Sequence, residues 1–242
     1  MRSLLAAIAF LTRIPVARSI AFDADDVAQS AGWFPLVGVL LGGAYVGGAA
    51  LLKPHLPLAV IAVLLIAIDA LVTGALHFDG IADTADGFGG GKDRDDVLRI
   101  MRDHAIGSYG GLALVLLVAL KCVAYYAVLG SANWIVALVV IPTLGRWSIL
   151  LVSAIVPYAR PGTSVVSSME KSSLIWGSFV VIVVLATSLT IRPWVAAGVV
   201  AAVTILWGSC CRRKIDGITG DTLGANLQLC ECAALLTFLW AR

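Results

Sequence analysis

The sequence predicts an all-α fold, a polytopic bundle of about seven membrane-spanning helices with short interfacial helices and a cytoplasmic N-terminus, and three observations carry this. Of 242 residues, 60% are hydrophobic and 13% charged, with a mean hydropathy of +0.97. That is more apolar surface than a soluble core of this size could bury. Crossing the hydrocarbon takes roughly 20 mainly apolar residues, and seven stretches qualify: 31–52, 57–76, 111–130, 133–157, 173–191, 193–209 and 222–241. The sixth is the shortest. With the N-terminus inside, twelve Lys and Arg fall in inner segments and three (Lys53, Arg192, Arg242) in outer ones, as a cytoplasmic N-terminus requires. No linker, repeat or low-complexity run divides the chain, so residues 1–242 read as one domain.

Taken in order, the first element is "MRSLLAAIAFLTRIPV". Its apolar run is broken by Thr12 and Arg13, too early for a signal peptide, so it reads as an amphipathic helix on the cytoplasmic face with Leu4, Ala7, Ile8 and Leu11 on one side. The first span carries Gly38, Gly42, Gly43, Gly47 and Gly48, whose small-xxx-small spacing permits close helix packing.

The second span leads into "HFDGIADTADGFGG". If it continues as a helix past His77, Asp83 lies about 40° from Asp79 and Asp86 about 20° to the other side, so three carboxylates share a stripe about 60° wide. Ionised together they repel one another, and a divalent cation would relieve that. Oxygen-only ligands suit Mg²⁺, Mn²⁺ or Ca²⁺, and Mg²⁺ retains open positions for water and phosphate oxygens. The competing reading is a solvated acidic helix end paired with Lys92 and Arg94. His77 is either a partner of the cluster or helix-end filler.

In "KDRDDVLRIMRDHAIGSYGG", Asp93 suits the N-cap of a short surface helix with Val97, Ile100 and Met101 on its apolar face. That helix carries Arg102 and Asp103 toward the aspartates; Arg102 either holds a phosphate or pairs with Asp103. Mid-span, Arg146 must face a cavity or an acidic partner, because an unpaired charge there costs about 2.5 to 3.5 kcal/mol. Asp69 or Glu231 would serve structurally, an anionic substrate functionally. Arg160 in "PYARPGTS", at the cytoplasmic edge, is the better phosphate candidate. The last span opens with Asp221, a cap or a site residue, and buries Asn226, Gln228 and Glu231, for which lipid offers no partner.

Thirteen of the fifteen acidic residues lie in inner segments, so function is expected on that face. A nucleic-acid binder would show a basic face on a polar domain; this chain has a net charge of +2 and no such domain, so no nucleic-acid partner is expected. The five cysteines have no zinc or redox spacing and read as small apolar packers.

"FLTRIPV", "HFDGIADTADG", "LRIMRDHAIGSYGGLAL", "PYAR" and "TGDTLGANLQLCE" resemble, in order and spacing, the cobalamin synthase family of adenosylcobinamide-GDP ribazoletransferases. The resemblance implies a multi-pass enzyme of the bacterial inner membrane, active site facing the cytoplasm. It would be Mg²⁺-dependent and join adenosylcobinamide-GDP to α-ribazole or its 5′-phosphate with release of GMP. Its expected partners are those small molecules and the lipid bilayer, with a homo-oligomer left open. Carried over by motif, Asp79, Asp83 and Asp86 are the metal ligands and catalytic residues. His77, Arg102, Asp103, Arg146, Arg160, Asp221 and Glu231 are assigned to substrate. Where the family reads RDSR the chain has Arg102, Asp103, His104 and Ala105; Gln228 stands where glutamate is usual, and Asp216 where glycine is.

Two other classes fit part of the pattern. A CDP-alcohol phosphotransferase would need Ala-Arg after its DGxx unit, whereas Asp83 and Thr84 follow Ala82. An ion-coupled transporter could line its path with Asp69, Lys121, Arg146 and Glu231, but no acidic residue lies in an outer connection.

Overall fold

A computed structural model describes residues 2–16, 20–160 and 171–240; Arg18, Arg242 and positions 161–170, which follow the fourth expected span, lie outside these. Among the described residues the chain forms eleven α-helices and no strand. Helix α1 (Arg2–Leu11) buries Ala7 and Leu11 as its periodicity predicts. Arg2 pairs with Asp26 at 2.7 Å on α2 (Ala24–Ser30), which opens with a capping box between Asp23 and Asp26. A short 3₁₀ turn leads into α3 (Phe34–Leu52). There follow α4 (Leu58–Thr73), α5 (Leu76–Gly90), α6 (Arg94–Ile100), α7 (Ser108–Leu129), α8 (Trp134–Ile155), α9 (Lys171–Ala186), α10 (Arg192–Ile215) and α11 (Gly220–Trp240).

Among the described residues five segments are long and apolar enough to cross a membrane, residues 24–52 together, α7, α8, α10 and α11, and the bent pair α4 and α5 makes up to six, against about seven expected. Their outward apolar surfaces, such as Leu112, Val115 and Leu116 on α7 and Ile205 and Leu206 on α10, suit contact with lipid. The protein is therefore a multi-pass membrane protein by the length and composition of its helices. Two expectations change. The fifth stretch gives only a 16-residue helix, α9, whereas the short sixth one grows to 24 residues, because Arg212, Arg213 and Lys214 extend α10 with charges that its C-terminal dipole favours.

The second span does not run on past His77. It ends at Gly74 and Ala75, both left-handed (φ 66° and 59°), and α5 leaves α4 at 90°. Glycine pays nothing for that conformation; alanine costs about 1–2 kcal/mol there. The N-terminal segment completes the elbow: the Arg13 amide donates to the Val72 carbonyl at 2.6 Å, satisfying one of the carbonyls left open at the end of α4.

Helix α11 is buried along most of its length, packed by α5, α7, α8 and α10. Gly38 and Gly42 bring α3 within backbone contact of α8 at Pro142 and Leu138, while Gly43, Gly47 and Gly48 meet open space. All five cysteines are free thiols, three of them buried.

Candidate active site

Despite the elbow, α5 is continuous from Leu76 to Gly90, so Asp79, Asp83 and Asp86 do share one stripe. The stripe faces the start of α11 because two glycines allow close packing. A Cβ on Gly80 would sit 2.6 Å from the Asp221 carbonyl, and one on Gly224 would sit 3.2 Å from the His77 Cα. Asp221 thereby joins the cluster. Asp83, on α5 beyond the spans, has its carboxyl pushed up to about 6 by burial and then by the charges of Asp79, Asp221 and Asp86, with His104 opposing.

The N-cap role open for Asp221 belongs to Thr219 and Thr222, each of whose hydroxyls accepts the other's amide, at 3.3 and 2.8 Å. Asp221 instead accepts from Thr219 Oγ1 at 3.2 Å and from Arg160 Nη2 at 3.3 Å. Asp86 is committed structurally as well as electrostatically, since its two oxygens accept the Gly107 and Gly110 amides, at 2.7 and 2.9 Å, and hold the start of α7 against α5.

Among the described residues no three His, Cys, Asp or Glu side chains converge closely enough to cage a metal ion by themselves. The donors nonetheless fit a hard divalent cation held by one or two carboxylates and completed by water and phosphate oxygens, which is how Mg²⁺ is usually bound. After burial, the charges of Asp79, Asp221 and Asp86 add to the upward shift at Asp83, and such an ion would relieve that repulsion. Lys92 and Arg94 do not provide the competing neutralisation: Arg94 pairs with Asp95 and Asp216, and Lys92 meets Asp96 through its backbone amide.

Arg160 follows α8 in a segment tied to α11's approach by a single parallel bridge between Tyr158 and Ile218. The Ala159 amide donates to the Ile218 carbonyl at 2.8 Å, and Arg94 Nη2 donates to the Ala159 carbonyl at 2.5 Å while its Nε donates to Ile215 at 3.3 Å. These contacts aim Arg160 at Asp221 and, among the described residues, leave its buried Nε without a partner. Arg94, which sequence reasoning treated only as a counter-ion, thus orders the backbone beside Arg160. On the other side of the stripe, Asp93 caps α6 as expected. Arg102 and Asp103 lie exposed just past the end of α6; Asp103 accepts the Ala105 amide at 3.1 Å and does not pair with Arg102.

The structure puts Arg146 and Glu231 elsewhere, inside the bundle. Arg146 is fully buried, its Nη1 on Glu231 Oε1 and its Nη2 3.5 Å from Asp69. Lys121, which the site assignment omitted, donates to Glu231 Oε2 at 2.6 Å and Gln228 Oε1 at 2.5 Å, and Tyr45 donates to Asp69 at 2.6 Å. Two cations and two carboxylates balance here; glutamine at 228 adds an acceptor without a third negative charge. The only sequence signal for Lys121 was a lysine in mid-span. His77 is buried where α5 packs on α11, both ring nitrogens without a partner among the described residues.

Comparison with known proteins places these residues in context. A family model described as cobalamin-5-phosphate synthase matches residues 3–239. Curated relatives named adenosylcobinamide-GDP ribazoletransferase include one from Clostridium botulinum (strain Langeland / NCTC 10281 / Type F), 36% identical over 96% of this chain and 95% of the relative. Another, from Prosthecochloris aestuarii, is 36% identical over 90% of this chain and 92% of its own length. A third, from Rhizobium etli, is 35% identical over 95% and 93%. No solved structure matches the chain.

Proposed function

The chain belongs to the cobalamin-5-phosphate synthase family, and from that premise we propose that it joins adenosylcobinamide-GDP to α-ribazole, or its 5′-phosphate, with release of GMP. The observation that carries the reading is the gathering of Asp79, Asp83, Asp86 and Asp221 beside Arg160 at one end of the bundle. The reaction forms a bond between a ribose hydroxyl oxygen and the cobinamide-linked phosphorus. It breaks the bond from that phosphorus to the oxygen that leaves with GMP.

Of the expected ligands Asp79, Asp83 and Asp86, the first two would hold Mg²⁺ together with water and phosphate oxygens, since both Asp86 oxygens already accept backbone amides; the ion would supply charge neutralisation for the transferring phosphoryl group. Arg160, whose Nε has no partner among the described residues, and the exposed Arg102 bind phosphate oxygens. A carboxylate of the stripe takes the proton of the attacking hydroxyl at its free oxygen. Asp86 keeps α7 against α5, and the Arg146–Glu231–Lys121 network anchors α11, which carries Asp221. In this reading Arg146 and Glu231 act on substrate only through α11.

The distribution of basic and acidic residues supports an N-terminus and active site on the cytoplasmic face, and family membership is what supports a bacterial inner membrane. The mid-bundle charges a transporter would need are instead paired with one another.

The test is GMP release by the purified protein in liposomes with adenosylcobinamide-GDP, α-ribazole phosphate and Mg²⁺, beside Asp83→Asn. Metal-dependent release lost in the variant supports the reading. A folded parent that releases no GMP sinks it.

A further inference from the structure

A cavity of about 380 Å³ opens at the end of α5, between α6 and the start of α7, and the phosphoryl chemistry above leaves it unused. Its size falls in the range of small-molecule sites, roughly 300–1,000 Å³. Tyr109, Ile100 and Ile106 give it aromatic and apolar walls, and Gly90 opens one side. The Tyr109 ring rests on Gly89, where a Cβ would come within 2.6 Å of ring carbon Cγ, yet the residue stays 56% exposed. Asp103 supplies the polar group. The Ala105 amide holds its Oδ1, and Oδ2 has no partner among the described residues.

An aromatic wall beside a carboxylate suits a flat heterocycle with adjacent N–H donors on one edge. An ionised carboxylate only accepts, and paired N–H···O bonds to it are among the stronger hydrogen bonds. The three heterocycles in the proposed reaction differ in this respect, and the adenine of the adenosyl group sets its amino group beside ring-nitrogen lone pairs, not beside a second N–H. Guanine presents N1–H beside its 2-amino group, whereas the glycosylated benzimidazole presents a ring-nitrogen lone pair that a carboxylate repels.

We propose that this cavity is the guanine subsite, with Asp103 accepting from guanine N1–H and the 2-amino group and Tyr109 stacking on the ring. The assignment rests on the transferase reading of the neighbouring aspartates. Its placement agrees with that reading: Asp86 both lines the cavity and belongs to the aspartate stripe, so a guanine bound here lies on the side from which GMP leaves.

The experiment is competition by GMP, IMP and XMP against turnover of adenosylcobinamide-GDP, with direct binding of each nucleotide in detergent with Mg²⁺ as a second readout. In the parent, GMP should compete at least about tenfold better than IMP, which lacks the amino group, or XMP, which offers a carbonyl there. Asp103→Asn should lose the preference for GMP and gain one for XMP, because its amide can accept from N1–H and donate to the 2-carbonyl. Tyr109→Leu should weaken all three by about tenfold or more, in unchanged order.

Equal competition by the three in the parent would overturn the subsite, as would an Asp103→Asn variant that loses turnover with its purine order unchanged. The latter would mean that Asp103 serves a ribose hydroxyl. Failure of the transferase reading is separate: it is absence of turnover in the parent, whatever the nucleotides do.

Discussion

Replacing Glu231 with glutamine changes almost no volume, so its effect isolates one buried charge. Glu231, Lys121 and Arg146 are each at most 2% exposed, and the single carboxylate serves both cations through different oxygens. With it gone, two buried cations share Asp69, itself 3.5 Å from Arg146 and already bonded to Tyr45. One oxygen of the new amide can still accept, but its NH₂ must face the other cation's donors. Removing one partner of a buried ion pair costs about 3–5 kcal/mol, whereas hydrogen bonds between membrane helices average only about 0.6 kcal/mol. The charge term therefore dominates, and Glu231→Gln should lose about 3–5 kcal/mol in unfolding titrations from mixed micelles. The discriminating variant is Glu231→Gln with Lys121→Met, which restores neutrality with one cation facing one carboxylate. It should recover at least half of the loss. If the double variant is as unstable as the summed single effects, charge balance is not what the network provides, and the argument fails.

Three further predictions follow from the site. Gly80→Ala places a methyl 2.6 Å from the Asp221 carbonyl; spreading α5 from α11 should cut GMP release by about tenfold or more, as small misplacements in active sites do, and retained full turnover would show that the close packing does not position Asp221. Arg94→Met frees the Ala159 and Ile215 carbonyls, so KM for the nucleotide substrate should rise more than kcat falls, with Arg94→Lys restoring little because lysine cannot span both acceptors. Because the Asp83 carboxyl is raised in the fold to about 6 against about 3.9 when unfolded, metal-free protein should lose stability as pH climbs through that window and level off above it. Mg²⁺ should then raise the melting temperature more at pH 7.5 than at pH 5, and equal shifts at both would count against a carboxylate-held ion.

Legibility differed between levels. The aspartate stripe was readable because 100° per residue fixes relative positions within one helix wherever that helix points. The elbow before it was not, since Gly74 in an apolar run is equally compatible with an unbroken span; the Arg13 amide from the distant N-terminus helps complete the break. Arg146 shows the same limit. Its need for a partner followed from lipid energetics, but the choice between Asp69, Glu231 and a substrate depended on which helices pack together.

By itself the sequence determined that the chain is a helical membrane protein with its carboxylates at one end, because apolar length and helical periodicity are properties of single segments. Tertiary structure alone decided that Asp221 and Arg160 join the stripe, that Asp86 is spent on α7, and that Lys121 completes the buried network. These depend on contacts between residues more than a hundred positions apart in the longest case, set by the close approach of α5 to α11 and the burial of α11 among its neighbours.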